Sequence, residues 1–239
     1  MPQAHNAPSL DPVARAAELR PLLARNVDRA EQDRRLPDES VQALESANLF
    51  KVMVPRRWGG YGAALPAVLG TFAELAKDCP SSGWVTMIVS GVGWWASRLP
   101  ERGQEEIFAN PATSRACAAG SPTSVTRRVE GGVRISGKFP FASGCRHSFW
   151  GGLSVADLDD AHNVVGQLTA FAPMSELEIE DTWFVAGMRG TGSNTLVAKD
   201  VFVPDHRVLS TRELANANNS PRRYSAEPSD KYAFAAANS

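Results

Sequence analysis

The residues best suited to chemistry in this chain fall in two short blocks. The first, residues 137–150, reads GKFPFASGCRHSFW and sets Ala142, Ser143 and Gly144 between aromatic residues on both sides. Small residues beside large flat ones let a backbone approach a planar ring closely while neighbouring side chains wall it in. The plainer reading is a strand carrying a glycine bulge. The second block, residues 183–204, reads WFVAGMRGTGSNTLVAKDVFVP. Gly187, Gly190 and Gly192 give it a flexible turn, and Arg189, Thr191, Ser193 and Asn194 supply donors. A phosphate cradle needs a helix after such a loop, and none follows, so a decorated hairpin fits better.

Other reactive side chains are sparse. His147 stands beside the first block, where it either faces a cleft or serves as a structural histidine of a strand, the commoner role. His5, His162 and His206 sit in loop or terminal contexts and receive no assignment. Cys79, Cys117 and Cys145 are odd in number, widely spaced and without a metal-ligand pattern, as expected of reduced, buried thiols in a cytoplasmic protein. Arg56 and Arg57 read as a solvated surface pair. The segment GGYGAALP lacks the strand-before, helix-after context of a nicotinamide site. No catalytic residue and no metal ligand set is assigned.

These residues need a scaffold, and composition sets its kind. The chain has 239 residues, a net charge of -1 and 43% hydrophobic residues, enough for one large or two small domains with a real core. Near-neutral charge provides no field to recruit nucleic acid or an anionic membrane. The first residues hold no apolar signal core, and no run of apolar residues is long enough to span a bilayer.

The first half reads as helical. Asp11-Pro12 starts a helix whose Leu19, Leu22, Leu23, Val27 and Ala30 share one face. A short helix follows Pro37 and ends at Asn48, a left-handed terminator. Residues 51–55 look extended, and 57–62 form a glycine-rich loop. Helices are expected over 66–77, 81–99 and 101–109, the middle one apolar on all sides and therefore buried.

From Thr113 the period changes. Residues 114–119, 123–130, 133–138, 149–156, 164–172, 176–180 and 195–203 read as antiparallel strands of a barrel or sandwich. The expected class is α+β: a helical domain over 10–112, a β-barrel domain over 113–209, and an irregular tail over 210–239 rich in Ala, Asn, Ser and Pro.

The joint order of five blocks is more specific than any one of them. They are LPDESVQALESANLFKVMVPRRWGGYG, CPSSGWV, AAGSPTS, GKFPFASGCRHSFW and GMRGTGSNTLVAKDVFVP. In this order the chain resembles the acyl-CoA dehydrogenase superfamily. Within it, the chain looks most like the flavin-dependent monooxygenase branch, the oxygenase components of two-component aromatic hydroxylases. The resemblance covers residues 10–209.

That resemblance implies a helical domain, a central barrel and a C-terminal four-helix bundle, with flavin in the cleft between them. It implies cofactor contacts from Trp84 on the buried helix, from Ala119, Gly120 and Ser121 on one strand, and from Ala142, Ser143 and Gly144 on another. Ser121 and Ser143 would act as small hydrogen-bond donors. It further implies reduced flavin (FMN or FAD), O2, an aromatic or polyketide-like small-molecule substrate, a separate flavin reductase and a homo-oligomer, a tetramer in the full-length form. The dehydrogenases' TEPxAGSD-like and WITN-like motifs are replaced here by AAGSPTSV and FASGCRHS, which favours hydroxylation over thioester oxidation.

Two departures stand out. Related hydroxylases carry a substrate-binding histidine about eight or nine residues beyond the tryptophan, a little over two helical turns. Here Val92 and Gly93 occupy that place. Nothing after Ser210 resembles the helices of the C-terminal bundle, so the expectation is a fragment, a subunit completed by a partner chain, or a non-catalytic flavin- or partner-binding module.

Overall fold

The computed structural model describes residues 11–121, 123–158 and 163–210. The expected tail lies outside them apart from Ser210, as do His5 and His162.

Among the described residues six α-helices precede the strands: α1 (Pro12–Arg25), α2 (Val27–Asp33), α3 (Asp38–Ser46), α4 (Leu65–Ala76), α5 (Pro80–Ala96) and α6 (Glu101–Phe108). Asp11 starts α1 as expected: its carboxylate accepts the Val13 N–H at 3.0 Å, and Pro12 fills the first turn. The single helix expected over this stretch is divided at Asn26. The Asn26 amide donates to Glu39 at 3.2 Å and to Ser40 at 3.1 Å, which pins the break onto α3. Leu23 and Ala30 still share the buried face. Asn48 has φ 59°, the left-handed terminator anticipated.

Residues 51–55 are not extended. Leu49–Lys51 forms a 3-10 turn, and Leu49, Phe50, Val52 and Val54 are all buried. Four apolar residues needing cover on every side are satisfied by a folded turn, not by a two-faced strand. The glycine loop closes over this turn, with Tyr61, Gly62 and Ala63 donating N–H groups to the Lys51, Val54 and Val52 carbonyls. A Cβ at Gly60 would lie 2.0 Å from the Val54 oxygen, so only glycine fits there. Helix α4 does follow the loop, but no strand precedes it.

The β part contains β1 (Ala116–Gly120), β2 (Val125–Val129), β3 (Gly132–Ala142), β4 (Trp150–Leu158), β5 (Val164–Pro173), β6 (Glu178–Glu180), β7 (Asn194–Pro204) and β8 (Val208–Ser210). They form two four-stranded sheets, ordered β1-β4-β5-β8 and β2-β3-β7-β6. The expected all-antiparallel pattern fails at one pair: β1 and β4 run parallel. The chain visits the second sheet through β2 and β3 between them, so it re-enters the first in the same direction. Strand β8, only three residues long, has too little alternation to read from sequence.

Ile135, Phe139, Leu153, Leu168 and Leu196 fill the space between the sheets, each fully buried or nearly so. A second cluster joins Ala96, Leu99, Ile107 and Phe108 of the helical part to Ala116, Phe171 and Leu209 of the first sheet. Burying side chains of this size contributes about 1.5–3 kcal/mol each. Helix α5 is therefore clamped between helices and sheet, and its first turns face the β part.

Candidate functional site

The two chemistry-bearing blocks meet. Strand β3 carries Ser143 just beyond its end, and β7 carries Ser193 just before its start; Ala142 and Asn194 are register partners. The Gly144 N–H donates to the Thr191 carbonyl at 2.9 Å, and the Cys145 thiol to the Gly192 carbonyl at 3.4 Å. Gly144 has φ +73°, and a Cβ there would sit 3.0 Å from Val85 on α5. The backbone thus turns sharply against the helix, which brings Ser143 beneath Trp84. The Trp84 indole N–H donates to the Ser143 hydroxyl at 3.0 Å.

The turn before β7 is held from the helical side. Glu31 on α2 accepts N–H groups of Arg189 and Gly190 and the Ser81 hydroxyl, each at 3.1 Å. The backbone donors that suggested an anion cradle are thus filled by a carboxylate of the chain itself. Asn194 fixes Trp183 by accepting the backbone N–H groups of Thr182 and Trp183 at 3.1 and 3.2 Å. The Trp183 indole donates to the Met188 carbonyl at 3.1 Å.

These contacts frame a cleft of about 460 Å³ walled by Trp84, Phe141, Trp183 and Met188, with Ser143, Ser193 and Thr191 on its floor. Phe141 adopts φ 63° at a bulge between Phe139 and Ala142, which turns its ring out of the sheet. It meets Trp183 edge to face, 6.0 Å between centroids and 86° between planes. Backbone in this region is costly for a bulky residue, by about 1–3 kcal/mol, and such outliers gather at ligand sites. A second cavity of about 280 Å³ lies along α5, between Gly91, Val92 and Trp95 on one side and Ser154, Thr169 and Phe171 on the other. Ile88 and Ala118 border both cavities. Neither is lined by a charged side chain.

Of the seven residues expected to contact a cofactor, Trp84 and Ser143 line the larger cleft. Ala142 and Gly144 flank Ser143 in the backbone without lining it, Ala142 being fully buried. On β1 the lining residue is Ala118; Ala119 packs into the core between the sheets, Gly120 is exposed, and Ser121 is buried beside Thr123. Phe141, Trp183, Met188, Ile88 and Ala118 were not anticipated. Ile88 was findable, since it lies one turn beyond Trp84 on the same helical face.

His147 lines neither cavity and is not on a strand: it ends the 3-10 turn Cys145–His147. It is 9% exposed, and burial beside Arg35 and Arg115 pushes its pKa down to about 4. Burial pushes Cys117 up to about 12 and raises Cys145 as well, so both stay protonated thiols. Among the described residues no group of His, Cys, Asp or Glu could hold a metal ion, and no helix is long and apolar enough to cross a membrane.

A scan of family models finds no match. The chain is 34% identical over 198 residues to the oxygenase subunit HsaA of a flavin-dependent monooxygenase from Rhodococcus jostii, covering 83% of this chain and 52% of that protein. It is 32% identical over 224 residues to the oxygenase component of an FADH(2)-dependent resorcinol hydroxylase from Rhizobium, covering 94% of this chain and 55% of that one. Among solved structures, XiaF from Streptomyces in complex with FADH2 and glycerol matches at a TM-score of 0.78 and 32% identity, over 88% of this chain and 54% of that one. The chain spans about half the length of these relatives.

Proposed function

We infer that this chain, which belongs by sequence and fold to the flavin-dependent monooxygenase branch of the acyl-CoA dehydrogenase superfamily, carries one side of a site where reduced flavin meets an aromatic substrate. The observation that carries the inference is the uncharged cleft in which Trp84 of α5 and Ser143 after β3 are hydrogen-bonded. The residues suit the ring system of a flavin. Flat aromatic walls match its faces, and a floor of hydroxyls matches its polar edge.

Bound reduced flavin supplies the reaction with O2, placing one oxygen atom on the substrate and the other in water. The chain's own residues do the rest. Trp84 and Trp183 would confine the ring, Ser143 would meet a polar ring atom, and Met188, Phe141 and Ile88 would exclude water. Ala142 and Gly144 set the turn that presents Ser143, while Ala118 continues the same wall from β1.

The smaller cavity is the place for the substrate, since it shares Ile88 and Ala118 with the larger one. Its polar groups are Ser154 and Thr169, whose hydroxyls lie 3.1 Å apart. A neutral aromatic or polyketide-like molecule suits such a lining. Val92 borders this cavity, at the place where related hydroxylases were expected to carry a histidine. A separate flavin reductase completes the reading, since the loop at 59–64 is sealed against Val54 and lacks a preceding strand. Phe184, outside the cleft, is 70% exposed, apolar surface of the kind that assembly into a homo-oligomer covers. A cytoplasmic setting is consistent with three buried free cysteines.

Anaerobic titration with reduced and oxidised FMN and FAD tests the reading. Saturable binding that favours reduced flavin supports it. Tight binding of oxidised FAD that is bleached by an acyl-CoA would instead mark a thioester dehydrogenase.

A further inference from the structure

The floor of the larger cleft is a chain of hydroxyls whose two ends have fixed polarity. At one end the Trp84 indole can only donate, so Ser143 accepts from it at 3.0 Å. At the other end the Met188 carbonyl can only accept, so Thr191 Oγ1–H donates to it at 2.9 Å. Between them Ser143 Oγ lies 2.8 Å from Ser193 Oγ, and Ser193 Oγ lies 2.6 Å from Thr191 Oγ1.

Each hydroxyl owns one proton. With the Thr191 proton on Met188, Ser193 must donate to Thr191, and Ser143 must donate to Ser193. Every proton in the run from Trp84 to Met188 is then used, and Ser143 keeps a lone pair for the cleft. Donating into the cleft instead costs a hydrogen bond. Either Ser143 turns alone and gives up its bond to Ser193, or all three hydroxyls turn together and the Thr191–Met188 bond is abandoned, leaving that carbonyl with the Trp183 indole and the Thr191 backbone N–H.

We propose that Ser193 and Thr191 set the redox-state selectivity of the cleft by holding Ser143 as a hydrogen-bond acceptor. The proposal rests on reading the cleft as a flavin site. Reduction of a flavin puts a proton on a central ring nitrogen that in the oxidised ring offers only a lone pair. An accepting Ser143 pairs with the N–H of the reduced ring. Facing the bare nitrogen, it either opposes two lone pairs or gives up a hydrogen bond to reverse the chain. One net hydrogen bond corresponds to a preference of about five- to tenfold. Ser193 and Thr191 are positioning residues here, acting through Ser143.

The test compares dissociation constants of oxidised and reduced FMN, and of both forms of FAD, measured anaerobically by tryptophan fluorescence on the 239-residue chain and its variants. Thr191→Val removes the proton's destination, so Ser193 turns its proton to Ser143, whose own proton then points into the cleft. Ser193→Ala frees the Ser143 proton directly. Each substitution lowers the preference for reduced flavin about five- to tenfold, partly through tighter binding of the oxidised form. Thr191→Ser retains the hydroxyl and the wild-type ratio.

A purely structural role would weaken both forms alike, and an unchanged ratio in Thr191→Val and Ser193→Ala overturns the proposal. Circular dichroism checks folding, and either variant suffices if the other does not fold. Failure of the wild-type chain to bind any flavin overturns the flavin reading and this inference with it. Binding with an insensitive ratio overturns the inference alone.

Discussion

Trp84 and Ser143, 59 residues apart in sequence, share a hydrogen bond of 3.0 Å that ties the buried helix to the end of a central strand. The bond serves two purposes. It satisfies an indole N–H on a side chain that is 43% exposed, and it orients a hydroxyl on the floor of the cleft. Trp84→Phe keeps the flat wall and removes the donor. Flavin affinity should then fall by about five- to tenfold, the worth of one net hydrogen bond, with little loss of stability. Titration of the variant with reduced flavin checks this.

Glu31 holds the turn that carries Arg189 and Gly190 by accepting both backbone N–H groups and the Ser81 hydroxyl. Glu31→Ala leaves these partly buried donors without an acceptor. The expected cost is about 2–4 kcal/mol of unfolding free energy, read from urea denaturation. Glu31→Gln, which keeps one carbonyl oxygen, should lose less.

His147 gives the fold a pH dependence. Its pKa is pushed down to about 4 from an ordinary 6.5, so the unfolded chain binds its proton more tightly. The contribution of the neutral imidazole is therefore complete above about pH 6.5 and is lost as pH falls toward 4. At about 1.4 kcal/mol per unit, the loss approaches roughly 3 kcal/mol. Unfolding curves from pH 7 to 4 should show this slope in the wild type and a smaller one in His147→Gln.

The thiols should be silent. All three cysteines are free and buried, and burial pushes Cys117 up to about 12 and raises Cys145, away from the thiolate form. A thiol reagent at pH 8 should label none of them in the folded protein and all of them after denaturation.

Gly91 offers a test of the smaller cavity. It borders that cavity and not the larger one, and a Cβ at this position meets nothing within 4 Å. Gly91→Leu should fill the space and abolish binding of neutral aromatic ligands while leaving flavin affinity within about twofold of wild type. Replacing a helical glycine also gains about 0.8–1 kcal/mol in propensity, so lost ligand binding would not reflect unfolding. Calorimetry with a simple aromatic, with and without flavin, reads both effects.

How much of this was legible in sequence follows from the range of the interactions. The helix start at Asp11 and the terminator at Asn48 are written in neighbouring residues, and they hold. Trp84 and Ser143 were picked out by the order of the blocks and do meet in the cleft. The path of residues 51–55 was misread because burial on all sides carries no period. The parallel pairing of β1 with β4 depends on where the intervening strands go, which no local pattern records. The partnership of Glu31 with Gly190 spans 159 residues and joins a helix face to a turn, so nothing short-range announces it. The hydroxyl run from Ser143 to Thr191 is of the same kind: its members were visible as donors, but their alignment arises only when β3 and β7 pair.

The central claim is that Trp84 walls a flavin site, and quenching of its fluorescence is the most direct measurement. Under anaerobic conditions, reduced FMN or FAD is titrated to saturation into the wild-type chain and into Trp84→Phe, and the difference between the two at equal occupancy isolates the Trp84 signal. A saturable loss of that signal, abolished when Ser143→Trp fills the floor, is the predicted result. A folded wild-type chain whose Trp84 emission shows no saturable response to either reduced flavin would contradict it.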